Sequence, residues 1–228
     1  MISRERKHKI GLTYGAFAAA SYGTNPLFAL PLYSAGIGVN SVLFYRYAIA
    51  LVLYGLWLKF AKKISFKISF EEAIVLFILG LFFSLSSFTL FEAFKYIEVG
   101  IACTILFIYP VLVAVIMAIF FKEKITKTVI TSISFITIGI TLLYHGKDGA
   151  TLNLYGVLIV LLSALLYSLY IVGVKNIKIV RHMNSAKMTF YVMLFGLFVY
   201  ITNLNFCTEL QPLTSPVLWL YAIGLALF

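Results

Sequence analysis

Arg46, in the stretch "LFYRYA" at 43–48, is the one charged residue that lies well inside a long apolar run of this chain. A charge in such a run is expensive unless it faces a partner or a wet cavity, or snorkels toward the surface. Glu92 stands at the end of another run, in "TLFEAFKYIEVGIACTI" at 89–105, and counting residues along the two runs brings it near the level of Arg46. An Arg46–Glu92 charge pair, or a polar cavity shared by the two, is therefore expected, with Glu92 as the candidate carrier for proton coupling. Lys95 and Glu98, further along the same stretch, read as solvated residues of the turn between two runs.

Two prolines mark further candidates. In "YGTNPLFALP" at 22–31, Pro26 removes one helical hydrogen bond and clashes with the Tyr22 carbonyl, so a kink or break is expected beside Asn25. Freed backbone groups at that depth need a partner or a cavity. The alternative is a purely structural kink, with Asn25 bonded to a neighbouring helix. Pro110, in "FIYPVLV" at 107–113, raises the same choice, and Tyr109 beside it offers an aromatic wall together with Tyr45, Tyr47 and Phe107. With 15 Tyr and 21 Phe in the chain, interface belts and core packing account for most aromatic residues. Asn25, Pro26, Arg46, Glu92, Tyr109 and Pro110 form the candidate cavity set.

The elements that must carry these residues are long. The 228 residues are 62% hydrophobic and 11% charged, against about 25% charged in a soluble domain. Apolar runs long enough to cross a bilayer, ~20 residues, recur throughout. They define an all-α polytopic membrane protein with spans at 10–32, 41–58, 73–92, 100–121, 128–144, 154–174 and 188–202, and an eighth run from Pro216 to Phe228. A transmembrane β-barrel would show short alternating strands instead.

The net charge of +10 points to the membrane surface rather than to nucleic acid, because of where the charges lie. Fifteen of the 18 Lys and Arg residues fall in the N-terminus and alternate loops; Lys95 and Lys147 fall in the opposite loops. By the positive-inside rule the N-terminus is cytoplasmic. The start "SRERKHK" followed by "AAA" at 18–20 imitates a signal peptide, but the apolar run continues past the imitation cut and reads as an uncleaved span. Cys103 and Cys207 read as small unpaired residues in preference to a disulfide.

Enzyme motifs are missing from the sequence. His8, His145 and His182 fall in terminal or loop segments, and there is no HExxH, CxxC, GxSxG or GxxxxGK[ST]. No metal site and no cofactor is expected.

An internal repeat is visible. "YGAF" at 14–17 and "YGVL" at 155–158 open two spans, and "ILGLFF" at 78–83 and "AIGLALF" at 222–228 follow in the same order at nearly the same offset. A five-span unit at 10–144 is expected, followed at 154–228 by a second copy that is cut in its third helix. Five is odd, so the copies have inverted topology, a ground plan of secondary transporters. On this reading the chain is a fragment of a ten-span protein. Gly11, Gly15, Ala19 and Gly23 form a small-residue stripe suited to close helix packing, and Gly80 and Ser84 could do the same in the third span.

Residues 91–126, "FEAFKYIEVGIACTILFIYPVLVAVIMAIFFKEKIT", resemble the EamA family of the drug/metabolite transporter superfamily. The resemblance is carried by Ala93, Lys95-Tyr96, Gly100-Ile101-Ala102, Pro110 and Glu123, by the Arg in "FYRY", and by "NLYGVLIVLLSALLYSLYIVGVK" at 153–175. The chain departs from the family's Gly-Glu-Arg in Lys122-Glu123-Lys124, and from an aromatic-Gly step with Trp in Tyr22-Gly23. The resemblance implies a ten-span exporter of small metabolites, often amino acids or derivatives, working by alternating access in the bacterial inner membrane without a cofactor. Within the same superfamily the rival is a lipid-linked-sugar flippase or nucleotide-sugar carrier. From another class the rivals are an intramembrane lipid-modifying enzyme and a non-transporting membrane partner. With so few charges near the expected cavity, neutral or zwitterionic cargo is expected.

Overall fold

A computed structural model describes residues 4–123, 129–131, 134, 135, 138 and 153–227, and among these every regular element is helical. The helices are α1 (Arg4–Ser34), α2 (Val39–Phe60), α3 (Phe70–Ala93), α4 (Val99–Leu106), α5 (Tyr109–Phe121), α6 (Leu154–Asn176), the single turn α7 (Lys178–Arg181), α8 (Ser185–Asn203) and α9 (Pro216–Leu227). The expected fifth span, 128–144, lies almost wholly outside the described residues.

Among the described residues, five spans are long and apolar enough to cross a membrane: α2, α3, α4 with α5, α6 and α8, with mean hydropathies from 1.4 to 2.7. The protein is a multi-pass helical membrane protein. In lipid, a helix satisfies its own backbone, which is why apolar runs of this length take this form.

Local chemistry sets the helix starts. Ser69 and Glu72 form a reciprocal capping box on α3, with the Glu72 N–H donating to Ser69 Oγ at 3.2 Å and the Ser69 N–H donating to Glu72 Oε2 at 2.7 Å. Asn153 and Asn184 cap α6 and α8 through their side-chain oxygens. Gly38 at the start of α2 has no side chain to offer. Gln211, from the segment after α8, supplies the missing acceptor by taking the Gly38 N–H on its Oε1.

Loop contacts sort the helix ends into two faces. On one face Gln211 holds the start of α2, also accepting from Tyr45 Oη at 3.0 Å and donating its N–H to Ser41 Oγ at 3.2 Å. On that face too, the turn after α3 leans on the start of α6, where the Tyr96 and Tyr155 rings meet edge-on at 4.9 Å. On the opposite face Lys187 donates to the Lys67 carbonyl and Tyr191 to the Phe66 carbonyl, and Lys175 pairs with Glu123 at 3.0 Å. This second face carries Lys59, Lys62, Lys63, Lys67, Lys122, Lys175, Lys178, Arg181 and Lys187. We call it the basic face.

The interior is built around α3, which packs against α6 and α8, while α2 packs against α8 and α9, α1 against α9, and α4 and α5 against α6. Small residues allow the closest crossing. A Cβ on Gly80 would stand 3.0 Å from the Val192 carbonyl oxygen, and one on Gly196 would stand 3.3 Å from Ser84 Cβ. Gly80 and Ser84 thus pack as a small-residue pair against α8. The stripe on α1 does not work this way at Gly23, which is exposed with nothing within 4 Å of its Cβ position; the side-chain surroundings of Gly11, Gly15 and Ala19 lie outside the described residues. The tight contact of α1 comes instead from α9, whose Gly224 lies against the Phe28 ring.

The two proline expectations divide. α1 runs through Pro26 and Pro31 without a break. The fourth span does break, at Phe107–Ile108, between α4 and α5. Pro110 cannot donate to the Leu106 carbonyl. The Val111 N–H turns to the Ile108 carbonyl at 3.0 Å, so the ladder restarts one residue tighter.

Candidate functional site

A cavity of about 250 Å³ opens between α2, α3, α6, α8 and the ends of α4 and α9. Arg46, Tyr47 and Ala50 line it from α2, and Phe83, Ser86 and Ser87 from α3. Leu106 comes from the last residue of α4, beside the break in the fourth span. Tyr167, Met193, Ala226 and Leu227 complete the wall.

Arg46 is half-buried in this wall. It sits seven residues into α2, roughly 10 Å below the start of the helix at the usual rise. Its guanidinium lies over the Phe91 ring, 5.5 Å from the centroid, a cation–π contact worth roughly 0.5–2 kcal/mol. Among the described residues it makes no ion pair.

The expected Arg46–Glu92 pair is not formed. Glu92 is one residue from the end of α3, and its carboxylate turns along the surface to Lys95, at 2.9 Å across an i,i+3 step. Arg46 starts about two turns deeper and stops at Phe91, the residue before Glu92. Lys95 is accordingly an ion-pair partner and not merely solvated, while Glu98 is exposed.

The rest of the site is neutral and tightly bonded. Tyr47 is 3% exposed; its hydroxyl lies 3.1 Å from Ser87 Oγ and its ring meets Tyr200 edge-on at 4.9 Å. Tyr200 Oη donates to the Ser84 carbonyl at 2.7 Å. Ser86 and Ser163 bond reciprocally between α3 and α6, each hydroxyl donating to the other's carbonyl, at 2.9 and 2.7 Å. Phe83, Tyr167 and Tyr170 form an aromatic layer with ring centroids 5.1 to 6.4 Å apart.

Of the other residues singled out in the sequence, Tyr109 stands behind the cavity wall. Its ring meets Tyr167 edge-on at 4.9 Å and its carbonyl accepts from Ser168 Oγ at 3.1 Å. Pro110 is exposed on the outside of the bundle. Asn25 is 3% exposed, yet neither its Nδ2 nor its Oδ1 has a hydrogen-bond partner among the described residues. The expected bond from Asn25 to a neighbouring helix is therefore absent there. The structure thus brings Arg46 to the cavity and leaves Asn25, Pro26, Glu92, Tyr109 and Pro110 outside its lining.

Sequence reasoning missed Ser86, Ser87, Phe83, Tyr167 and Met193. The signal for the serines was present in "SLSS" at 84–87, three hydroxyls within four residues of an apolar span. Cys103 and Cys207 are both free thiols.

A multi-pass helical bundle with a charged, hydroxyl-lined cavity and an interrupted span is the architecture of a membrane carrier. Residues 9–145 match the EamA-like transporter family, and the chain belongs to that family, a branch of the drug/metabolite transporter superfamily. No curated protein and no solved structure matches the chain.

Proposed function

We propose that this protein moves small organic metabolites, such as amino acids or their derivatives, out of the cytoplasm by alternating access across a bacterial inner membrane. The observation that carries the reading is the cavity itself. It gathers one arginine, two serines and two tyrosines at membrane depth, where polar groups are costly and tend to mark a cargo path. Its volume of about 250 Å³ is on the scale of a small metabolite.

A five-span repeat at 10–144 and the spans of an inverted second copy at 154–228 supply the rocking halves. The helix pairing supports this division. Exchanging spans one, two and three with six, seven and eight carries the α3–α8 contact onto α9–α2, and the α3–α6 contact onto α9–α1. The α2–α8 contact maps onto itself, as a contact across a pseudo-two-fold axis must. The basic face is then cytoplasmic, with the N-terminus on the same side.

The test is transport. Protein reconstituted into liposomes is assayed for flux of a panel of labelled amino acids and derivatives. Flux of at least one, lost in Arg46→Ala with folding retained, is expected. Full flux in Arg46→Ala would remove the cavity from the path, and no flux of any panel member would sink the reading.

A further inference from the structure

The charge balance of the cavity goes beyond small metabolites in general. Among the described residues, Arg46 is the sole charged residue of the lining, which includes no carboxylate. The nearest candidate, Glu92, is held by Lys95 at the end of α3. A guanidinium presents a planar fork of donors that matches a carboxylate in bidentate fashion. The aromatic face of Phe91 stabilises that charge without neutralising it.

A zwitterion would satisfy Arg46 with its carboxylate but bring an ammonium that finds no acidic partner in the lining. A neutral molecule would leave the guanidinium unneutralised as the cavity closes and water leaves, where the cost of an unpaired charge is highest. A monoanion removes both penalties. The remaining wall is flat and aromatic, from Tyr47, Phe83 and Tyr167, and its serines already have partners within the bundle, Ser86 with Ser163 and Ser87 with Tyr47.

We infer that Arg46 is the anion-recognising residue of this cavity and that the cargo is a small organic monocarboxylate with a flat or apolar body, preferred over zwitterionic or neutral molecules of the same shape. The inference narrows the transport reading from amino acids to derivatives that carry a carboxylate without an ammonium, reverses the expectation of neutral or zwitterionic cargo, and rests on that reading for the word cargo.

The test compares three near-isosteres, benzoate, benzylamine and benzyl alcohol, by calorimetric titration of the full chain in lipid nanodiscs at neutral pH. Benzoate is expected to bind at least about tenfold more tightly than the other two, with the preference reduced at least about tenfold in Arg46→Gln and partly kept in Arg46→Lys. Equal or tighter binding of benzylamine or benzyl alcohol, no benzoate binding at millimolar concentration, or unchanged preference in Arg46→Gln would each overturn it. Should Arg46→Gln fail to fold, the ranking of the three ligands by the unaltered protein decides alone. Flux in liposomes separates the two readings. Arg46-dependent benzoate binding without flux of benzoate or of any other panel member would sink transport and leave the anion site standing. Flux of a zwitterion indifferent to Arg46→Gln would do the reverse.

Discussion

Gly80 of α3 and Gly196 of α8 meet almost backbone to backbone: a Cβ on Gly80 would stand 3.3 Å from the Gly196 nitrogen and 3.0 Å from the Val192 carbonyl oxygen. Backbone cannot step aside as a flexible side chain can, so this crossing holds the α3–α8 distance, and with it the spacing of Ser86 and Ser87 from Met193 across the cavity. Replacing Gly80 by Val is expected to destabilise the protein by about 1–3 kcal/mol through overpacking. A lowered thermal midpoint in detergent, with Gly23→Val as the neutral comparison because its Cβ position meets open space, checks it.

The Ser86–Ser163 exchange joins α3 to α6 deep in the bundle, with both side chains buried. Hydrogen bonds between membrane helices are worth less than their isolation from water suggests, because the separated helices find other partners. A double-mutant cycle with Ser86→Ala and Ser163→Ala is expected to give a coupling of about 0.5–1.5 kcal/mol. A coupling near zero would mean that the two hydroxyls act independently.

Lys175 and Glu123 connect the basic-face ends of α6 and α5 through two contacts, 3.0 and 3.1 Å, with both side chains about half exposed. Water and salt screen such a pair, so Glu123→Gln should cost no more than about 0.2–1 kcal/mol. The thermal shift should shrink in high salt, and the exchanged pair, Glu123→Lys with Lys175→Glu, should recover it. A larger loss that salt does not touch would assign Glu123 another role.

Pro110 breaks the fourth span next to the cavity wall at Leu106. Pro110→Ala restores a donor to the Leu106 carbonyl and removes the ring clash. Pro110 stands in the first turn of α5, where a proline costs little, so the variant should match the parent in stability or slightly exceed it. If the break serves movement, flux falls while the thermal midpoint holds or rises. Unchanged flux would make the break structural only.

Gln211 caps α2 from the far side of the sequence, accepting the Gly38 N–H that no local side chain can take. Gln211→Ala should cost about 0.5–2 kcal/mol, in the range of lost helix caps. Amide exchange should quicken at residues 38–42 before it does elsewhere in α2. Uniform exchange along the helix would show that the cap carries no local stability.

Span existence was legible in the sequence because it depends on one local quantity, apolar length. The expected 41–58, 73–92, 154–174 and 188–202 reappear as α2, α3, α6 and α8, each longer by a few residues at its ends. Those extensions come from caps such as Ser69 and Asn184 that hydropathy does not register. The break at Pro110 was legible for the same reason, since a missing N–H is a covalent fact. The unbroken passage of α1 through Pro26 was not, because whether a proline ends or only bends a helix depends on what packs around it.

The candidate site was legible only as far as Arg46 and its neighbour Tyr47. The type and depth of Arg46 mark it in any apolar run, whatever the fold. Its partner was a matter of three dimensions. Depth counting put Glu92 at its level but could not reveal that Lys95, one turn along, reaches the carboxylate first, or that Phe91 takes the guanidinium. Ser86, Tyr167 and Met193 come from three helices, and nothing in the chain between them records that they share a wall. The sequence by itself determined a bundle of membrane helices carrying one deep cation, because hydrophobic length and charge burial are local costs. Only the tertiary structure decided what that cation faces, because facing is a relation between helices and is set by small-residue crossings such as Gly80 with Gly196.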